Sequence, residues 1–176
     1  MPPESPTPPD LDDATLAFAG RVFQHARMGH AAELADLFAQ GLPANLRNDK
    51  GDSLLMLAAY NGGAEAARVI LDAGGDPELA NDRGQTPLAG ACFKGDLAIA
   101  RLLIARGAAI DGTGDGSRTA LMTAAMFNRT EMVDLLLAHG ADPDRRDAAG
   151  LTAAEMAQSM GAADTPAQLA RAGRPA

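Results

Sequence analysis

The feature that most constrains this chain is an internal period. Ser53, Thr86, Thr119 and Thr152 recur at one constant interval. A second column, Gly29, Gly62, Gly95, Asn128 and Gly161, keeps the same interval, as does a third, Gly41, Gly74, Gly107 and Gly140. Leu55, Leu88 and Leu121 form a fourth column. The aliphatic triplets Val69-Ile70-Leu71, Leu102-Leu103-Ile104 and Leu135-Leu136-Leu137 form a fifth. A chain with such columns builds a stack of equal units, each burying a face against its neighbours.

Each column has a physical reading. A Ser or Thr oxygen caps the free N–H groups that open a helix, and Pro87 then occupies the first helical position, where a missing N–H costs nothing. The small pairs Ala58-Ala59, Ala91-Cys92 and Ala124-Ala125 lie one turn further on, where bulk would hold neighbouring units apart. The Gly/Asn column ends this first helix, because both residue types tolerate a left-handed backbone. A second helix carries the aliphatic triplet, as in Glu131-Met132-Val133-Asp134-Leu135-Leu136-Leu137, with charges opposite it. Between Gly140 and Thr152 lies the polar stretch Ala141 to Gly150, suited to a projecting hairpin-like loop.

With these residues in register, Gly84-x-Thr86-Pro87-Leu88-x-x-Ala91-Cys92-x-x-Gly95, followed by Leu102-Leu103-Ile104-x-x-Gly107-Ala108, resembles an ankyrin repeat. The resemblance implies an all-α repeat solenoid of helix-turn-helix units with projecting β-turn or hairpin loops. It covers residues 14 to 163: an N-terminal cap at about 14–47, repeats at about 48–80, 81–113 and 114–146, and a C-terminal cap at about 147–163. The Pro-rich segment 1–13 is expected to be a disordered tail, and 164–176 a flexible one. The chain also departs from the family pattern. Met56, Ala89, Met122 and Glu155 replace the histidine of the Thr-Pro-Leu-His signature, and proline stands only at Pro87. The first unit lacks the Thr-Pro-Leu start and uses Phe18, Phe23, Leu34, Leu37 and Phe38. The last keeps Gly150-Leu151-Thr152-Ala153-Ala154 but loses its aliphatic triplet.

Composition then excludes several classes. Apolar residues make up 47% of the 176, enough for one core. The formal net charge is −8 and no basic run exceeds Arg145-Arg146, so no nucleic-acid partner is expected. No segment approaches the roughly 18 apolar residues of a membrane span, and the N-terminus lacks the basic and apolar regions of a secretory signal. The single cysteine, Cys92, cannot form an internal disulfide. These points suit a cytoplasmic protein, and the Ala-, Gly- and Arg-rich, Lys-poor composition suits a bacterial one.

Catalytic constellations are thin. The run Gly112-Thr113-Gly114-Asp115-Gly116-Ser117 has no following lysine and no preceding strand, so it reads as a loop tip and not a phosphate cradle. Asp111, Thr113, Asp115 and Gly116 match a calcium loop until its twelfth position, which is Met122 in place of a bidentate glutamate. His25, His30 and His139 read as surface residues too few and too scattered for zinc, and Cys92 reads as a buried structural thiol. Asp142, Asp144 and Asp147 cluster in a turn that favours Asp for backbone reasons. We therefore expect no enzyme activity, no metal and no cofactor.

The resemblance places a partner surface along the first helices and loop tips. The register sets Met56, Tyr60, Phe93, Met122 and Met126 on adjacent turns of neighbouring first helices, with Arg27 and Ser159 in the same column. Tyr60 and Phe93 stand out because the chain holds 5 Phe and 1 Tyr. Packing between helices is the competing expectation for these five apolar residues. The tips add Asp49, Lys50, Asp82, Arg83 and Arg118, a rim of mixed charge. The leading expectation is a monomeric adaptor, regulator or inhibitor that binds a protein in its concave groove. A self-associating structural solenoid and a small ligand-binding or enzymatic protein are the alternatives.

Overall fold

The Ser/Thr column caps helices. In the computed structural model, which describes residues 12–114 and 118–172, Ser53 Oγ accepts from Met56 N at 3.0 Å and Thr86 Oγ1 from Ala89 N at 3.3 Å. Thr119 Oγ1 accepts from Met122 N at 3.2 Å, and Thr152 Oγ1 from Glu155 N at 3.3 Å. Two of the residues that replace the signature histidine return the bond. Thr119 N donates to Met122 Sδ at 3.4 Å and Thr152 N to Glu155 Oε2 at 2.8 Å. Each such pair satisfies two otherwise unpaired donors at a helix start.

The helices come in pairs: α1 (Asp13–Met28) and α2 (Ala31–Ala39), α3 (Leu54–Asn61) and α4 (Ala64–Asp72), α5 (Pro87–Lys94) and α6 (Leu97–Ala105). They continue as α7 (Ala120–Met126) and α8 (Thr130–Ala138), then α9 (Ala153–Ser159) and α10 (Thr165–Ala172). The first helices α1, α3, α5, α7 and α9 pack in chain order as one layer, and α2, α4, α6 and α8 as another. Among the described residues there is no strand, only an isolated antiparallel bridge between Arg47 and Ser53. The fold is an all-α repeat solenoid.

The small pairs let the first layer close up. Ala58, Ala59, Ala91, Cys92, Ala124 and Ala125 are all 0% exposed. A Cβ built on Gly90 would stand 3.1 Å from Met56 Sδ, so α5 approaches α3 closely enough that even a methyl group would be tight. The Gly/Asn column is left-handed throughout, including Asn128 at φ 53°, the one non-glycine residue with positive φ among those described. The triplet column supplies Ile70, Leu103 and Leu136, all fully buried.

A further column ties unit to unit. Asn45 Oδ1 accepts from Asp76 N at 2.8 Å, and Glu78 Oε1 from Ala109 N at 2.8 Å. Asp111 accepts from Asp142 N at 3.2 Å. Asn45, Glu78 and Asp111 stand one period apart, and each reaches a backbone N–H of the following unit. Asp111, the first residue of the calcium-like pattern, is thus engaged in joining units; Asp115, Gly116 and Ser117 lie outside the described residues, as do 1–11 and 173–176.

The C-terminal boundary expected at 163 needs correcting. Residues 165–172 form α10, which packs on α9, α8 and α7. Leu169 stands one period after Leu136 and is 3% exposed, so it continues the buried column with one aliphatic side chain in place of three. Thr165 is fully buried and donates from Oγ1 to Ala125 O at 2.7 Å. Gln168 Nε2 donates to Thr130 O at 2.9 Å and to Asp134 Oδ1 at 2.6 Å. The last unit is therefore a full helix pair. Hydrogen bonds to α7 and α8 take the place of the missing aliphatic contacts.

Candidate functional site

Side-chain amides and carboxylates shape the loop tips. Asn48 Oδ1 accepts from Lys50 N and Asp52 N, both at 2.9 Å, and Asn81 Oδ1 from Arg83 N at 3.1 Å and Gln85 N at 3.0 Å. Asp147 Oδ1 accepts from Ala149 N and Leu151 N, both at 2.9 Å. Short polar side chains that bond the backbone two residues on stabilise tight turns. Neighbouring tips are laced together: Arg47 pairs with Asp82 at 3.0 Å, and Asn81 Nδ2 donates to Asp52 Oδ1 at 2.8 Å. The Asp82 carboxylate is thereby engaged within the protein. Asp49, Lys50, Arg83 and Arg118 are exposed at the tips.

Between tips and first helices run two open grooves. The larger, about 600 Å³, is lined by Arg83, Ala89, Phe93, Arg118, Met126 and Phe127 among others. The second, about 320 Å³, is lined by Arg27, Lys50, Met56, Tyr60 and Arg83 among others. Three aromatic rings connect them. Tyr60 and Phe93 stack with centroids 5.1 Å apart and planes 10° apart, and Phe93 meets Phe127 edge-on at 4.5 Å. Lys94 Nζ lies 5.2 Å from the centre of the Tyr60 ring. Such contacts hold rings in place while leaving part of their surface open.

The structure divides the five apolar groove residues expected from the register. Tyr60 is 40% exposed, and Phe93 and Met126 are half-buried. Met56 and Met122 are 4% and 1% exposed and belong to the packing between first helices, which corrects their expected place on the open surface. In the first turn of so short a helix, the side chain after the buried leucine faces the next unit, as Met56 faces Gly90. Phe127, 38% exposed, is not marked by the sequence pattern. It follows α7 in the column of Asn61 and Lys94, one place beyond Tyr60, Phe93 and Met126, and only its contact with Phe93 brings it into the row.

Cys92 is fully buried, and burial pushes its thiol far above the ordinary cysteine range, which makes it inert as a nucleophile. His139 bonds through Nδ1 to Leu135 O at 2.8 Å. His25 and His30, expected to be scattered, are brought together with their Nδ1 atoms 3.1 Å apart and Glu33 beside them. No helix among the described residues is long and apolar enough to cross a membrane.

The comparisons with known proteins agree with this geometry. A family model described as ankyrin repeats in three copies matches residues 22–114, and a second, ankyrin repeats in many copies, matches residues 103–157. An ankyrin repeat protein of Pseudomonas aeruginosa is 53% identical over 61 residues, covering 35% of this chain and 36% of that protein. The match thus spans about a third of the relative's length. Ankyrin repeats are generally non-catalytic modules of protein–protein interaction. With both family models placed on stacked helix pairs whose caps, turns and buried columns recur in one register, the chain belongs to the ankyrin-repeat family.

Proposed function

We propose that this protein is a non-catalytic binding module, an adaptor, regulator or inhibitor, that holds a protein partner across the tips and first helices of its repeats. The observation that carries the reading is the aromatic row Tyr60–Phe93–Phe127. It contributes one ring from each of three consecutive units and lies along two open grooves. Aromatic side chains that are already rigid lose little entropy on contact and anchor interfaces well. Met126 extends the apolar strip, and Lys50, Arg83 and Arg118 border it with positive charge on a chain of net charge −8. That local sign favours a partner segment carrying carboxylates beside apolar side chains.

The test is affinity capture from an extract of the source cell, with the wild type and the Tyr60→Ala/Phe93→Ala/Phe127→Ala variant, identified by mass spectrometry. A protein retained by the wild type and lost by the folded variant supports the reading. Identical captures, or none, overturn it.

A further inference from the structure

The first unit breaks the repeat in one place on two buried columns at once, and a third, variable column adds to it. The column of His25 reads Ala58, Ala91, Ala124 and Ala157 in the later units, all of them fully buried. The column of Glu33 reads Ala66, Ile99, Met132 and Thr165, again buried, and that of His30 reads Gly63, Asp96, Arg129 and Ala162. Among the described residues no helix packs on that side of the first unit, so polar residues are permitted there. All three of those it places are metal-ligating types.

The fold also brings them together. α1 ends at Gly29, whose left-handed backbone (φ 73°) reverses the chain, and His30 N donates to His25 O at 3.0 Å across the turn. A Cβ on Gly29 would lie 3.5 Å from Gly63 Cα, so the turn sits close against the second unit. His30 opens α2 and Glu33 lies in its first turn. The two Nδ1 atoms face each other at 3.1 Å with ring planes 52° apart, and the nearest ligand atoms of all three side chains lie within 4.8 Å of one another. Two nitrogens bound to one tetrahedral zinc at 2.0–2.1 Å stand roughly 3.3 Å apart, close to the separation found here.

We propose that His25, His30 and Glu33 bind a divalent transition metal of the zinc class, clipping the end of α1 to the start of α2. Two neutral imidazoles and one carboxylate form a donor set that suits zinc, nickel or copper better than magnesium or calcium. Three protein ligands leave a fourth position for water. His30 and Glu33 are exposed and His25 half-buried, so the ion has an open path and Glu33 can swing in. Arg27, the nearest cation along the chain, lines the groove beside Tyr60. Bound metal adds its binding free energy to the folded state of this unit.

The experiment is calorimetric titration of untagged, metal-free protein with zinc chloride, repeated on His25→Gln, His30→Gln, Glu33→Gln and His139→Gln, with circular dichroism to confirm that each is folded. Cobalt(II) absorption reports the ligand geometry, and magnesium chloride is the control. One zinc per chain, affinity reduced by roughly tenfold or more in each of the first three variants and unchanged in His139→Gln, is the expected result. Absent binding, binding indifferent to His25 and His30, or equal binding of magnesium overturns the proposal.

Discussion

The Asn128 side-chain oxygen accepts a hydrogen bond from the Asp164 backbone N–H at 2.9 Å and another from Thr165 at 3.1 Å, while Asn128 Nδ2 donates to Asp164 Oδ2 at 2.9 Å. The one member of its column that is not glycine is thus the one that receives the N-terminus of α10. Asn128→Gly relieves a left-handed backbone but removes all three bonds. We expect a net loss of about 1–2 kcal/mol in urea unfolding and faster amide exchange confined to α10. Unchanged exchange in α10 would show that Asn128 does not hold it.

Leu169 continues the buried column of Ile70, Leu103 and Leu136. Leu169→Ala is expected to destabilise by about 2–4 kcal/mol, whereas Leu151→Ala, at a 38% exposed position, should change stability by less than about 1 kcal/mol. Equal effects would mean that α10 is not part of the core.

The groove residues should separate by the same measurement. Met56→Ala and Met122→Ala remove fully packed side chains and should each cost about 2–4 kcal/mol. Tyr60→Ala and Phe127→Ala lose part of a ring contact and some apolar area, about 1 kcal/mol. A partner that binds the groove should be lost with the second pair while the fold survives.

Glu155 accepts bonds from the Thr152 N–H and hydroxyl, with Arg146 at 3.3 Å, and these hold its carboxyl below the ordinary 4.5. A folded-state value below the unfolded one means that the stabilisation is complete above the ordinary value and fades as pH falls through the folded value. The melting-temperature advantage of wild type over Glu155→Gln should therefore be present near pH 6 and shrink as pH falls below the ordinary carboxyl range through the folded value. An advantage that does not change as pH is lowered rules out the charged bond as its source.

Cys92 should not react with a thiol reagent at about pH 8 in the native protein and should react fully in denaturant. Rapid native labelling would place it outside the core.

Much of this was legible in the sequence because period translates directly into burial. Ser53, Thr86, Thr119 and Thr152 cap where their spacing puts them, and Ala58, Ala91 and Ala124 are buried where bulk is excluded. What escaped depends on direction and on contacts between distant side chains. Periodicity marks Met56 and Tyr60 as one face of α3, and only the packing of α5 decides that the first is covered and the second open. α10 was obscured because Gln168-Leu169-Ala170 stands where other units carry an aliphatic triplet. Its anchoring lies in Asn128, Thr165 and Gln168. His25 and His30 looked unrelated until the turn at Gly29 closed the gap between them.

The column of Asn45, Glu78 and Asp111 accepts from main-chain N–H groups and so asks nothing of the side chain it meets. This column by itself sets no condition on which unit follows which. A tandem duplication of residues 81–113 would preserve every one of these links and lengthen the molecule by one step, so its reach along a partner is a variable that gene duplication can change without redesigning an interface.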